Sequence, residues 1–183
     1  MEHRASLTSN EVDKLLRGAS HGVFRVESLP EYNVPVDRDN FESFARGVPL
    51  PSFTAKEIID WFDMIKGFHA RGVKFQRLRL MPDTINPYLR YEIEWGYTNF
   101  QALGEEFRFH PLSATNRTFH KDFYIVDNSI VVHLEYGDGG TWGGFFLEKD
   151  PLYAKELIDG ALALWNNATS LEEFLASYRS KAL

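Results

Sequence analysis

The run Asp122-Phe123-Tyr124-Ile125-Val126 is apolar on both faces of a strand. Successive side chains of a strand leave opposite faces of its sheet. Such a run must therefore be covered on both sides, which places it centrally in a sheet packed between other layers. Val73 to Met81 makes a similar demand. Its apolar positions switch phase, from Val73 and Phe75 to Leu78 and Leu80, so the strand carries a bulge or buries both faces. Helical stretches surround these strands. Phe62, Ile65 and His69 recur at helical spacing, and Leu157, Ala161, Leu164 and Trp165 do so near the C-terminus. Together they predict an α/β fold, a mixed β-sheet with flanking helices.

The local signals divide the chain. A helix is expected at Ser9–Arg17, ended by Gly18, then a strand at Gly22–Glu27. Leu29 to Pro35 must be extended, because proline restricts itself and its predecessor. A short helix around Asp39–Ala45 leads to the connector Val48-Pro49-Leu50-Pro51-Ser52. Residues 1–52 thus read as an N-terminal α/β arm or cap, and 53–183 as the main domain. Thr54 and Glu57 form a capping box that opens the main body, and Ser170 with Glu173 forms another. Asn86-Pro87 and Asp150-Pro151 start helices, the first reaching about Gly96, followed by a short turn at Thr98–Leu103. Glu106–His110 alternates as a half-buried strand. Asp127-Asn128-Ser129 turns the chain into Ile130–Glu135, and Thr141–Glu148 follows a glycine cluster.

A chain of 183 residues suits one domain with an added arm. It has no cysteine, which removes disulfides and thiol chemistry. A net charge of −6 argues against a nucleic-acid partner, since such binders carry a basic footprint. No apolar run is long enough to span a bilayer, and Met1-Glu2-His3-Arg4 opens no signal peptide. The expected location is cytoplasmic.

Three collinear segments resemble one half of a phospholipase D-superfamily protein. They are Ile65 to Val73 with its Arg71-Gly72-Val73 exit, His120 to Asp127, and Phe145 to Pro151 leading into Leu164-Trp165. The resemblance implies a histidine nucleophile, a lysine that neutralises phosphate and an aspartate that orients the histidine. His120 and Asp127 stand at the matching separation, but Asp122 holds the lysine position and Lys121 lies one residue early. Two unit charges ~4 Å apart at a dielectric near 20 interact by roughly 4 kcal/mol. A carboxylate in that position therefore opposes a bound phosphate. A second resemblance covers most of the chain through Phe24-Arg25-Val26-Glu27, Tyr32 to Pro35, Tyr88 to Glu92 and Asn99 to Glu105. It is to an uncharacterised, mainly actinobacterial family, classed as a domain of unknown function and often encoded beside helix-turn-helix regulators.

The resemblances imply a non-catalytic binding or regulatory domain, accessory to a transcriptional regulator or defence system. The alternative is a dimeric phosphodiesterase or nuclease using His120. Catalytic candidates are His120, Asp127 and Asp122, and Asp127 beside Asn128 also reads as a turn-former. A ligand-binding set is expected at Arg77, Arg79, Arg90, Glu92 and Asn99. These arginines suit a small anion, or they pair with Glu92, Glu94, Glu105 or Glu106. Tyr88, Tyr91, Trp95, Tyr97 and Phe100 form an aromatic group for stacking or core packing. The spacing of His110, His120 and His133 matches no metal motif, so no metal and no cofactor is expected. Expected partners are a helix-turn-helix regulator or a second copy.

Overall fold

The computed structural model describes residues 3–48 and 56–181. Eight strands form one mixed sheet: β1 (Arg4–Leu7), β2 (Gly22–Glu27), β3 (Lys74–Met81), β4 (Glu105–Pro111), β5 (Asp122–Val126), β6 (Ile130–Tyr136), β7 (Trp142–Glu148) and β8 (Thr169–Ser170). Their order is β1-β7-β6-β5-β2-β3-β4-β8. β2, β3 and β4 run parallel, while β5 pairs antiparallel with β2. The helices are α1 (Ser9–Arg17), α2 (Pro35–Ala45), α3 (Lys56–Ala70), α4 (Pro87–Tyr91), α5 (Tyr97–Ala102), α6 (Pro151–Asn166) and α7 (Leu171–Lys181). None of the described helices is long and apolar enough to cross a membrane.

Both faces of the sheet are covered, as β5 requires. On one face Val23, Phe75, Tyr124, Val126 and Val132 pack under α1 and α3, through Val12, Leu16, Ile65 and Phe68. On the other, Phe24, Val26, Leu78, Leu80, Phe123 and Ile125 pack against Leu157, Ile158, Ala161 and Trp165 of α6. β3 keeps a regular register with both neighbours, so its phase switch reflects burial of both faces rather than a bulge. Arg77 and Arg79 continue the face begun by Phe75, and all three are buried.

The arm read from the sequence is not a separate cap. Its strand β2 lies between β5 and β3, and β1 extends the same sheet beyond β7. The expected boundary near residue 52 and the Thr54–Glu57 capping box fall outside the described residues or side chains. The other start signals form as expected. Asn86 accepts from the Leu89 N–H, Asp150 from Leu152 and Tyr153, and Ser170 exchanges bonds with Glu173. α2 begins earlier than the periodicity suggests, because Pro35 takes the first helical turn. The helix from Asn86 does not break at Gly96: a π-helical turn at Glu92–Gly96 joins α4 to α5.

The glycine loop between β6 and β7 is tied to the β2–α2 connection. Gly140 has a φ of +73°, and a Cβ there would lie 2.4 Å from the Glu31 carbonyl oxygen. Its own carbonyl accepts from the Asn33 N–H. Gly140→Ala is therefore expected to cost about 2–3 kcal/mol. Urea titration should show a lower midpoint at an unchanged slope.

Candidate functional site

Charged residues converge on the α1/α3 face of the sheet. Register places Arg25 beside Arg77, and Glu27 beside Arg79. β4 adds Glu105 next to Phe75, and β5 adds Tyr124 next to Arg25. Arg77 donates to Glu105 through Nε at 2.5 Å and to Glu27 through Nη1 at 3.0 Å. Arg25 meets Glu27 at 2.8 Å. Arg79, 0% exposed, donates to the Leu29 carbonyl and to the Tyr32 hydroxyl. Aromatic rings fill the gaps: Arg77 lies over Phe100 and Phe107, Arg25 over Tyr124 and Arg79 over Tyr32. Arg25 and Arg77 thus meet carboxylates of their own chain, whereas Arg79 meets a carbonyl and a hydroxyl.

The cluster is not fully satisfied. Arg25 Nε, Arg79 Nε, Glu27 Oε2 and Glu105 Oε2 are closed to solvent and have no hydrogen-bond partner. Burial raises the Glu27 carboxyl, but Arg25, Arg77 and Arg79 outweigh it and hold Glu27 below its ordinary value. At Glu105 burial wins against Arg77, and the carboxyl is pushed up to about 7. The folded state thus favours protonated Glu105 relative to an unfolded chain near 4.5. Its contribution to stability is complete below that value and is lost as pH rises through 7, on the order of 3 kcal/mol. Melting temperature is expected to fall between pH 5 and 8, and Glu105→Gln should flatten that slope.

A loop after β2 straps over the carboxyl end of this strand pair. Asp122 accepts from the Ser28 N–H at 2.8 Å, the Ser28 hydroxyl at 3.0 Å and the Tyr32 hydroxyl at 2.5 Å. Burial raises the Asp122 carboxyl, with the charge of Glu27 adding to it. Asn86 donates to the Pro30 carbonyl, fastening the strap further. Residues of the strap line two clefts. One, of about 240 Å³, is lined by Arg4, His120, Lys121, Asp122, His133 and Tyr136. The other, of about 390 Å³, is lined by Tyr32, Asn33, Arg38, Phe41 and Tyr88.

His120, Asp122 and Asp127 do not form one site. Asp127 follows β5, whereas His120 precedes it, and at ~3.3 Å per residue the strand holds the two roughly 17 Å apart. Asp127 adopts a φ of 51° and accepts from the N–H groups of Ser20, His21 and Gly22. These bonds outweigh its partial burial and lower its carboxyl to about 2. It serves as the turn-former that the Asp127-Asn128 pair suggests. Among the described residues the imidazole of exposed His120 makes no hydrogen bond. His133, by contrast, is buried and meets Glu148 at 3.0 Å. Burial and Arg4 lower its basicity against the pull of Glu148.

The expected ligand set is also divided. Arg77 and Arg79 meet in the cluster, and Glu92 reaches it through the Tyr97 hydroxyl, which donates at 2.8 Å. Arg90 instead pairs with Glu94 on the surface. Asn99 donates to the Trp95 carbonyl within its own helical run. The aromatic group splits too: Tyr88, Tyr91 and Trp95 pack with Tyr32 and Phe41, while Tyr97 packs with Phe107 and Phe109. Arg25, Glu27 and Tyr32 went unassigned in the sequence. Their signal was Arg25 and Glu27 alternating with Phe24 and Val26 in an otherwise apolar strand.

No curated protein shows a significant sequence match to the chain. Among solved structures, the archaeal chromatin protein TrmBL2, described as showing a novel mode of DNA binding, is similar at 14% identity and a TM-score of 0.49. The similarity covers 93% of this chain and 55% of that protein, so the chain spans about half its length. Set beside that description, the expectation that nucleic acid is an unlikely partner is withdrawn. The family described as Domain of unknown function (DUF6879) matches residues 10–176, and the chain belongs to that family.

Proposed function

We propose that the chain is a non-catalytic binding or regulatory domain whose ligand sits against the strap at residues 28–34. The observation that carries this reading is the separation of the catalytic candidates. Asp127 is committed to the Ser20–Gly22 turn and Asp122 to Ser28 and Tyr32, so neither is placed to orient His120. The strap lies beyond the carboxyl ends of the parallel strands β2 and β3, the position where open α/β sheets take ligands. Tyr32 faces the larger cleft while its hydroxyl is anchored on Asp122, which couples occupancy of the cleft to the sheet beneath.

A thermal-shift screen of small polar compounds tests it. A ligand at a hundred times its Kd should raise the melting temperature by roughly 5–10 °C. Arg38→Ala and Tyr88→Ala, which alter the larger cleft, should weaken that response. A second reading, a phosphodiesterase acting through His120, draws on the smaller cleft where His120, Lys121 and Arg4 meet. It requires hydrolysis of a chromogenic phosphodiester that His120→Ala abolishes. That result, with no thermal shift from any compound, would replace the binding reading.

A further inference from the structure

The outer edge of β4 is only partly covered. β8 pairs with β4 at Arg108 and Phe109 alone, although β4 spans seven residues. A groove of about 280 Å³ runs beside the uncovered part. Its lining includes the consecutive residues Glu105, Glu106 and Phe107, whose side chains leave alternate faces of the sheet. Groove and strand edge therefore coincide. Gln101, Glu172 and Trp165 also line it. An uncovered edge presents a row of backbone donors and acceptors to any extended chain.

The side chains around this edge select by charge. Glu106 and Glu172 are exposed carboxylates. Each accepts from a neutral amide, Glu106 from Gln76 at 2.8 Å and Glu172 from Gln101 at 2.7 Å, and among the described residues neither is paired with a cation. The one lining guanidinium, that of Arg108, is turned aside: it donates to the Trp165 carbonyl at 2.9 Å and stacks on the Trp165 ring at 4.9 Å.

We infer that this edge is a docking site for an extended, lysine- or arginine-bearing segment of a partner protein, which adds a short strand to β4. Backbone bonds to the edge supply affinity, and cationic side chains meeting Glu106 and Glu172 supply selectivity. This surface is separate from the strap and does not depend on its ligand.

Fluorescence anisotropy with labelled seven-residue peptides tests the inference. A peptide alternating lysine and threonine should bind saturably, and its glutamate–threonine counterpart roughly tenfold more weakly or worse. Methylating alternate backbone amides of the lysine peptide keeps its charge but blocks strand pairing, and should also weaken binding roughly tenfold. Glu106→Lys, a change at an exposed position, should do the same, whereas Asp13→Lys on α1 should leave binding unchanged. Unaltered affinity of the methylated peptide would reduce the effect to attraction between an acidic protein and a basic peptide, and would overturn the inference. So would indifference to Glu106→Lys, equal loss with Asp13→Lys, or no saturable binding of the lysine peptide.

Discussion

Removing residues 1–52 is expected to abolish folding, leaving 53–183 insoluble or without dispersed amide signals. The deletion takes β2 from between β5 and β3 and strips the backbone ladder from both neighbours. It also removes Val12, Leu16, Val23, Phe24 and Val26, all buried. At ~1.5–3 kcal/mol for each large apolar side chain, the loss is on the order of 10 kcal/mol. That is comparable with the entire stability of an ordinary domain, roughly 5–15 kcal/mol. Expression of the truncated chain, with circular dichroism and a two-dimensional amide spectrum, checks this. A soluble product with a dispersed spectrum would mean that the sheet closes without β2.

Glu27→Ala is expected to be the most damaging single substitution, at about 3–5 kcal/mol. Glu27 is 1% exposed and lies between Arg25 and Arg77. Truncating it leaves buried guanidinium groups facing one another without that carboxylate. Stripping one partner from a buried ion set costs more than the set contributes as a whole, because the remaining charge stays desolvated. In a chain of this length the melting temperature should drop by about 10 °C. Glu27→Gln keeps an acceptor but loses the charge, and should fall between the alanine variant and the native protein. Equal stability of all three would mean that water already reaches these arginines.

Much of the scaffold was legible because its punctuation is chemical. Asn86-Pro87, Asp150-Pro151 and Ser170 with Glu173 announce helix starts through side chains that bond the first free N–H groups. The two-sided burial of Phe123–Val126 announced a central strand. β1 and β8 were not legible: four and two residues give no periodicity, and their partners lie far along the chain. The π-helical turn was hidden as well, since one wider turn does not disturb the apolar pattern around Ile93 and Tyr97. The charge cluster was half visible. Arg77 and Arg79 share a strand face by simple alternation, but Glu27 closes a strand and reads as an exit to solvent. Only the parallel register of β2 with β3 places it against both arginines. His120 and Asp127 match a spacing in one dimension, yet β5 holds them apart in three.

The position of β2 also bears on how the protein is made. The antiparallel neighbour of Gly22–Glu27, β5, leaves the ribosome only a hundred residues after Gly22. Pairings of such long range form slowly. Until Val126 has emerged, one edge of β2 stays open, with Phe24 and Val26 lacking Phe123 and Ile125 beside them. The nascent chain therefore carries an unfinished, adhesive strand until β5 follows, so chaperone supply during translation should govern the yield of folded protein.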